Sequence, residues 1–117
     1  MAETDREGQM RSLYRAFNAR DIETCLAAMS PDVEWANGWE GGVVIGREAV
    51  RRYWERQWAV IDSTAEPIAV AERSDGAIEV SVHLVARDLD GNVLNDGEAR
   101  HVYELEGELV QRMTIEE

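Results

Sequence analysis

The run Val33-Glu34-Trp35-Ala36-Asn37-Gly38-Trp39 joins two halves of the chain that differ in the period of their apolar residues. Before it, apolar residues recur with the spacing of a helical face, and from Ser63 onward they alternate with polar residues as in a β-strand. Two of the four tryptophans lie in this run, and Trp54 and Trp58 follow on one face of a predicted helix. Helices followed by a sheet, with aromatic side chains between them, predict an α+β domain that encloses an apolar pocket.

Three segments of the first half have helical periodicity. The apolar residues with this spacing are Met10, Leu13, Tyr14 and Phe17, then Ile22, Cys25, Leu26 and Met29, then Val50, Tyr53, Trp54, Trp58 and Ile61. Asp21 is predicted to cap the second helix, and Pro31 ends it because proline has no backbone N–H to donate. Between the second and third helices we predict a short strand over 33–35 and a glycine-rich loop, with room for a further short strand at Val43-Val44-Ile45.

The second half is predicted to be a meander of four strands near 64–73, 77–88, 93–105 and 108–116. Three turns separate these strands, at Ser74-Asp75-Gly76, Asp90-Gly91-Asn92 and Glu106-Gly107-Glu108. Asp-Gly and Glu-Gly between alternating segments are typical of hairpins. The predicted fold is therefore a cone-shaped, curved antiparallel sheet, with a four-strand meander plus a short strand wrapped on three N-terminal helices.

Pairing across these turns predicts which residues share a face of the sheet. It places Val80 beside His101 and His101 beside Met113. The inner face then comprises Glu66, Ile68, Val70, Ile78, Val80, Val82, Leu84, Ala99, His101, Tyr103, Leu105, Leu109, Gln111, Met113 and Ile115. The outer face is mixed and carries His83. Its valines, Val85, Val102 and Val110, are expected to form a contact between two copies, which predicts a homodimer through the outer sheet face.

Length and charge limit the classes of partner. The 117 residues predict one domain over 1–117, and the formal charge of −12 with no lysine excludes a nucleic-acid partner and an anionic membrane surface. No apolar run approaches the ~20 residues of a membrane span, and the first residues lack the apolar stretch of a signal peptide. Cys25, the one cysteine, has no partner for an internal disulfide and is expected to be a buried, inert thiol. These features predict a cytoplasmic protein.

Four runs together resemble the nuclear transport factor 2-like superfamily, and within it the SnoaL-like group. Tyr14-Arg15-Ala16-Phe17-Asn18-Ala19-Arg20-Asp21 resembles the first helix and turn of that superfamily. Ser30-Pro31-Asp32-Val33-Glu34-Trp35 resembles its entry into the first strand, and Gly46-Arg47-Glu48-Ala49-Val50 the start of its third helix. Tyr103-Glu104-Leu105-Glu106-Gly107-Glu108-Leu109-Val110-Gln111-Arg112-Met113 resembles its last hairpin. The resemblance covers nearly the whole chain and implies a cone-shaped α+β fold.

The superfamily includes ketosteroid isomerases, polyketide cyclases and limonene epoxide hydrolases, so the resemblance does not imply one reaction. The carboxylate base of the isomerases falls at Trp35, which cannot abstract a proton, and their neutral acid falls at His101. Their helix-one tyrosine falls at Leu13, and Tyr14 is one residue away, about 100° around the helix. The acid of the cyclases falls at Thr114. Since the base and the acid of the isomerases are both replaced, their catalytic set is not present in its usual form. The Asp-Arg-Asp set of the epoxide hydrolases also has no counterpart.

The candidate catalytic residues are His101, Tyr14 and Tyr103. A histidine acts as a general acid or base near neutral pH, and it also donates a hydrogen bond to a ligand carbonyl. The alternative is a core histidine bonded to a neighbour such as Tyr103 or Gln111. The tyrosines either supply hydroxyls to an oxyanion or pack their rings and bond backbone or water.

The candidate ligand-binding residues are those that the predicted register directs toward the cone. They are Trp35, Trp39, Trp54, Trp58, Glu66, Gln111 and Met113. Aromatic walls with few polar groups are typical of small-molecule pockets, whereas Trp54 and Trp58 at i, i+4 also suit core packing. Glu66 is either a base with a raised pKa or a carboxylate that reaches solvent at the rim.

These residues predict binding of a small apolar or planar molecule without a metal or cofactor. The leading hypothesis is a cofactor-independent isomerase, cyclase or hydratase with general acid/base chemistry in an aromatic pocket, in which His101 is the base or hydrogen donor. The alternative is a non-catalytic ligand-binding or dimerisation module. An open cone favours the first, and a cone filled by Trp54, Trp58 and Met113 favours the second. A third possibility is protein binding through the outer sheet face.

Overall fold

The computed structural model describes residues 2–38 and 41–116, with side chains from residue 6 onward. Its elements are α1 (Ala2–Asn18), α2 (Ile22–Ala27), β1 (Met29–Ala36), β2 (Val43–Ile45), α3 (Arg47–Val60), β3 (Ile61–Glu72), β4 (Ile78–Asp88), β5 (Val93–Glu106) and β6 (Leu109–Glu116). This order confirms the predicted α+β fold, including the short strand at 43–45. The first strand is longer than predicted and begins at Met29.

The six strands form one open sheet in the order β2-β1-β6-β5-β4-β3. Neighbouring strands are antiparallel except for β1 and β6, which are parallel. The helices cover one face, with α1 against β3 and α3 against β1, β2 and β3. Because the sheet curves and its edge strands do not meet, this face becomes the inner wall of a cone.

The helical faces pack as their spacing predicts. Met10, Leu13 and Tyr14 of α1 are buried against the sheet. The predicted N-cap is confirmed, because the Asp21 carboxylate accepts a hydrogen bond from the backbone N–H of Thr24 at 3.3 Å. Cys25 is buried as predicted, and burial raises the pKa of its thiol to about 12, which keeps it protonated and inert at neutral pH. The helices therefore cover one face of the sheet with apolar side chains.

A β-bulge in β3 reverses part of the predicted inner face. Val70 pairs with Val80 as predicted, but Pro67, not Ile68, pairs with Val82. Ile68 is the extra residue of the bulge and is half exposed. Side chains alternate between the two sides of the sheet along a strand. One inserted residue therefore places every earlier residue of β3 on the opposite side from the one predicted. The prediction that Glu66 faces inward is therefore wrong: Glu66 pairs with His83 of the outer face and is exposed.

A second bulge, in β6, changes the register of the last hairpin. His101 pairs with Ile115 and Tyr103 pairs with Met113, so the predicted pairing of His101 with Met113 is wrong by two residues. A two-residue turn contributes one residue of this shift, and the extra residue Gln111 contributes the other. Gln111 therefore leaves the inner face, and its side-chain amide donates to the Asp32 carboxylate at 3.4 Å on the surface.

The valines predicted for a contact between copies are mostly buried within one chain. Val110 is completely buried because the bulge at Gln111 turns it into the core, and Val102 is only 6% exposed. Charged side chains dominate the rest of the outer face, where Arg73 forms ion pairs with Glu79 and Glu116 at 2.8 and 2.7 Å. Val102 and Val110 therefore have little surface left for a contact between copies, and the homodimer through the outer sheet face stays a prediction.

Candidate functional site

Three side chains from distant parts of the chain meet on the inner face of the cone. The hydroxyl of Tyr14 on α1 lies 2.7 Å from Nδ1 of His101 on β5. The hydroxyl of Tyr103, two residues further along β5 on the same face, donates to the Tyr14 hydroxyl at 2.6 Å. The imidazole also stacks on the Tyr14 ring, with 6.0 Å between ring centroids and 21° between planes. The three proposed catalytic residues thus form one hydrogen-bonded network.

Burial keeps this network neutral at neutral pH. His101 is 8% exposed, and desolvation of its charged form lowers its pKa to about 4. Burial also raises the pKa of Tyr14 and of Tyr103 above that of an ordinary tyrosine. For Tyr14 the neighbouring Tyr103 hydroxyl adds to the rise. At pH 7 the group therefore consists of two phenols and one neutral imidazole.

The network holds one hydrogen more than its internal bonds use. Two phenols and a neutral imidazole carry three polar hydrogens, and the two bonds through Tyr14 use two of them. If Tyr14 donates to Nδ1, the third hydrogen is on Nε2 of His101. If Nδ1 carries the hydrogen and donates to Tyr14, the third is on the Tyr14 hydroxyl. Both residues border the cavity, so either tautomer leaves a donor for a ligand oxygen.

The network lies at one end of a cavity of about 400 Å³. Its wall is made by Leu13, Tyr14, Phe17, Trp35, Ala36, Gly38, Tyr53, Trp54, Gln57, Ile61, Ser63, Thr64, Ala65, Leu84, Val85, Ala86, Leu94, Asn95, His101, Tyr103, Met113 and Ile115. The exposed members of this set, Gly38, Thr64, Leu94 and Asn95, mark the mouth. The cone is therefore open, and Met113 forms part of the wall.

Aromatic rings in edge-to-face contact form much of this wall. Trp54 packs against Phe17 at 5.2 Å and against Trp35 at 5.5 Å between ring centroids. Trp35 in turn packs against Tyr103 at 6.0 Å. Such contacts hold rings at fixed angles. Trp35 and Trp54 therefore line the cavity and do not fill it.

Other predicted ligand-binding residues lie away from the cavity or outside the described part of the chain. Trp58 packs behind the wall, 5.6 Å from Trp54 and 5.3 Å from Phe17, with the Arg20 guanidinium 4.8 Å above its ring. Of the two tryptophans at i, i+4 spacing, Trp54 therefore lines the cavity, whereas Trp58 packs behind it. Glu66 and Gln111 are outside the wall because of the two bulges. Trp39 lies outside the described residues.

Several polar residues of the cavity wall are not among the ligand-binding residues predicted from the sequence. Gln57 and Ser63 border the cavity near its mouth, and Asn95 lies on the facing part of the sheet. Ser63 is on the inner face only because of the bulge at Ile68, so strict alternation conceals it. Tyr53 has a clearer signal, because it belongs to the same helical face as Trp54.

No acidic or basic side chain of the described residues borders the cavity. In the part of the chain that the structure describes, no cluster of three or more histidine, cysteine, aspartate or glutamate side chains is arranged to hold a metal ion. None of the described helices is long and apolar enough to cross a membrane. As far as the described residues define it, the site is an apolar chamber with hydrogen-bonding groups and no aspartate, glutamate, lysine or arginine in its wall.

Residues 10–113 match the SnoaL-like domain family. The chain belongs to this family. None of the curated protein sequences is detectably similar to the chain. The match and the order of elements confirm the resemblance inferred from the four sequence runs.

Solved structures share this fold at low sequence identity. An NTF2-like protein of unknown function from Burkholderia pseudomallei is 22% identical with a TM-score of 0.81, over 94% of this chain and 88% of that one. TerC, co-crystallised with polyporic acid, is 22% identical with a TM-score of 0.79, over 93% and 88% of the two chains. A putative polyketide cyclase from Xanthomonas campestris is 23% identical with a TM-score of 0.75, over 93% and 87%. These likenesses establish the fold of this SnoaL-like domain.

Proposed function

We propose that this SnoaL-like domain binds an uncharged, largely apolar carbonyl compound in the cone and donates a hydrogen bond to its carbonyl oxygen from the Tyr14–His101 pair. The observation that carries the proposal is the third polar hydrogen of the network, which no internal bond uses. A carbonyl oxygen is the acceptor that such a neutral donor suits. A TerC structure with polyporic acid supports a ligand-binding role for the same fold.

The absence of charged groups from the described wall favours an uncharged ligand. A carboxylate or ammonium in an apolar chamber loses its hydration and gains no opposite charge there, which is costly. The aromatic wall from Phe17 to Trp35 offers flat apolar surface instead. These two properties favour planar or alicyclic ketones.

The same hydrogen bond is the basis of a catalytic role. A donor aimed at a carbonyl oxygen in a water-poor site stabilises the negative charge that develops there during enolisation, cyclisation or hydration. His101 is a weak base because burial lowers its pKa to about 4, so we assign it the role of hydrogen-bond partner rather than proton acceptor. The proposed class is a cofactor-independent isomerase, cyclase or hydratase. Binding without turnover is the alternative, and it uses the same contacts.

The test uses 4-acetylbiphenyl, an uncharged apolar molecule with one ketone. Binding is measured by isothermal titration calorimetry, and the C=O stretching band of the bound ketone by infrared difference spectroscopy. In the wild type we expect saturable binding and a C=O band lowered by hydrogen bonding. The triple variant Tyr14→Phe/Tyr103→Phe/His101→Leu removes both donors and also the Tyr103 hydroxyl, which would otherwise lose its acceptor and become free to donate to the ketone. The band should therefore return to its position in an apolar solvent, and affinity should fall about 10-fold.

The single variants identify the donor, because each leaves one candidate in place. Whichever of Tyr14→Phe or His101→Leu shifts the C=O band carries the bonding hydrogen. Thr114→Ala, on the outer side of β6, is the control and should change neither quantity. Thermal unfolding of each variant verifies the fold. A lowered C=O band that persists in the folded triple variant would refute the proposal.

A further inference from the structure

A second pair of polar side chains borders the cavity far from the tyrosine–histidine network. The side-chain amide of Gln57, in the last turn of α3, donates to the hydroxyl of Ser63 on β3. The distance of 3.5 Å is at the long limit of a hydrogen bond, so this contact is weak. Ser63 is 9% exposed and Gln57 is half-buried. Two polar groups are therefore held in the wall with little internal bonding between them.

The register of the sheet places this pair at the opposite end of the cavity. Val80 of β4 pairs with His101, and Ala86, six residues further along β4, pairs with Ser63 on one side and with Asn95 on the other. Six residues of β-strand span about 20 Å. Gln57 and Ser63 therefore lie on the side of the exposed Asn95, and His101 lies at the other end of this stretch of β4, beside Ile115.

The wall between the two polar ends is apolar. Ala65 of β3 and Leu84 of β4 pair with each other in this stretch of the inner face. Phe17 and Trp54 cover it from the helices. A molecule that fills the cavity along its length therefore has an apolar middle and meets hydrogen-bonding groups at both ends.

We propose that Gln57 and Ser63 form a second hydrogen-bonding site, which binds a hydroxyl or carbonyl oxygen at the far end of the ligand. This inference rests on the proposed carbonyl site at Tyr14 and His101, and it defines the ligand as an elongated, uncharged molecule with oxygens at both ends. A ligand hydroxyl donates to the Gln57 amide oxygen and accepts from the Ser63 hydroxyl. The Ser63 oxygen can still accept from the Gln57 amide N–H while its own hydrogen goes to the ligand, so these bonds add to the internal contact.

The test compares two probes that differ by one distal hydroxyl, 4-acetyl-p-terphenyl and 4-acetyl-4″-hydroxy-p-terphenyl, because the two oxygens of a hydroxylated acetylbiphenyl are too close together to reach both ends of the cavity. Their dissociation constants are measured by titration calorimetry for the wild type, Gln57→Met and Ser63→Ala. We expect the hydroxylated probe to bind the wild type about 3–10-fold more tightly, which corresponds to one or two neutral hydrogen bonds at a partly exposed position. This advantage should be lost in Gln57→Met and reduced in Ser63→Ala.

Gln111→Met is the matched control, because it is the same substitution at a glutamine outside the cavity. It should leave the advantage of the hydroxylated probe unchanged. Equal affinity of both probes for the wild type, or an advantage that survives in the folded Gln57→Met/Ser63→Ala variant, would overturn the second site. Failure of both probes to bind would overturn the elongated ligand.

The two proposals fail in different measurements. The carbonyl site is judged by the C=O band of 4-acetylbiphenyl, which lacks the distal hydroxyl. The second site is judged by the ratio of the two dissociation constants, in which the shared ketone cancels. A normal C=O response with equal dissociation constants refutes only the second site.

Discussion

The two histidines of the chain lie on adjacent strands and on opposite faces of the sheet. His101 faces the cone beside Tyr14, where burial lowers its pKa to about 4. His83 faces outward with Nε2 2.6 Å from the Asp96 carboxylate. The hydrogen bond to Asp96 raises the pKa of His83, and the charges of Asp96, Glu98 and Glu66 raise it further. The face of the sheet, rather than the residue type, therefore sets the direction of the shift.

The two faces of the sheet also differ in the charge of their side chains. On the described outer face Arg112 interacts with Glu34 and Glu104, and Arg73 with Glu79 and Glu116. On the inner face, the cavity wall has phenols, amides, hydroxyls and one neutral imidazole. The net charge of −12 thus describes the surface that meets solvent and carries no information on the ligand. The proposed ligand follows from the uncharged inner face alone.

The largest expected difference between the faces is in packing. Met113 and Thr114 are consecutive on β6, and Met113 is 3% exposed whereas Thr114 is exposed. Met113→Ala should lower the free energy of unfolding by about 2–5 kcal/mol through lost contacts and a larger void. Thr114→Ala should change it by less than about 0.5 kcal/mol. Urea denaturation followed by circular dichroism measures both, and equal costs would contradict the assignment of faces.

The next effect is the pH dependence of stability caused by His101. Its folded-state pKa of about 4 lies below the ordinary value of 6.5, so between these values the unfolded chain binds more protons. The free energy of unfolding should therefore fall as the pH falls, by about 2 kcal/mol between pH 6.5 and pH 5. Urea titrations at several pH values should show this slope in the wild type and lose it in His101→Leu.

The titration of His83 changes the free energy of unfolding with pH in the opposite direction to that of His101, so His83 serves as the internal control. Because its folded-state pKa is raised, its contribution to stability is present below the ordinary pKa and is lost as the pH rises through the folded value. In His83→Gln the free energy of unfolding should therefore rise more steeply from pH 5 to pH 7 than in the wild type. A flatter profile in His83→Gln, or an unchanged slope in His101→Leu, would show that the two environments are assigned to the wrong faces.

The smallest expected effect concerns the outer ion pair. Asp96→Asn removes the carboxylate beside His83, so the pKa of His83 should move back toward its ordinary value. Both side chains are solvent-exposed, so the free energy of unfolding should hardly change. NMR titration of the His83 ring protons measures the pKa, with His101 in the same spectrum as reference. An unmoved His83 pKa would exclude Asp96 as its cause.

The fold and part of the site were predictable because they depend on local patterns. Helical spacing predicts the buried face of α1, and alternation with Asp-Gly and Glu-Gly turns predicts the four long strands. The predicted pairing of Val80 with His101 is confirmed. The inward direction of Tyr103 and His101 follows from alternation within β5. The structure brings these two residues together with Tyr14, whereas their chemical roles stay predictions.

The bulges at Ile68 and Gln111 were not predictable from alternation. Each inserts one residue into a strand without a glycine or proline at the extra position to mark it. Glu66 and Gln111 were consequently assigned to the cavity, and Ser63 was overlooked. Trp58 shows a related limit, because spacing places it on the face of Trp54 while the packing of Phe17 and Arg20 keeps it behind the wall.

The sequence by itself determined the α+β class, the order of elements and the family, since period, turns and caps are properties of neighbouring residues. Only the tertiary structure decided that a cavity of about 400 Å³ remains open and that three of its wall residues form a network with one unused hydrogen, on Tyr14 or His101. Tyr14 and His101 are 87 positions apart, and no local rule relates them. Their contact, the neutrality of the imidazole and the polar pair at the mouth arise when the helices close over a bulged sheet and exclude water.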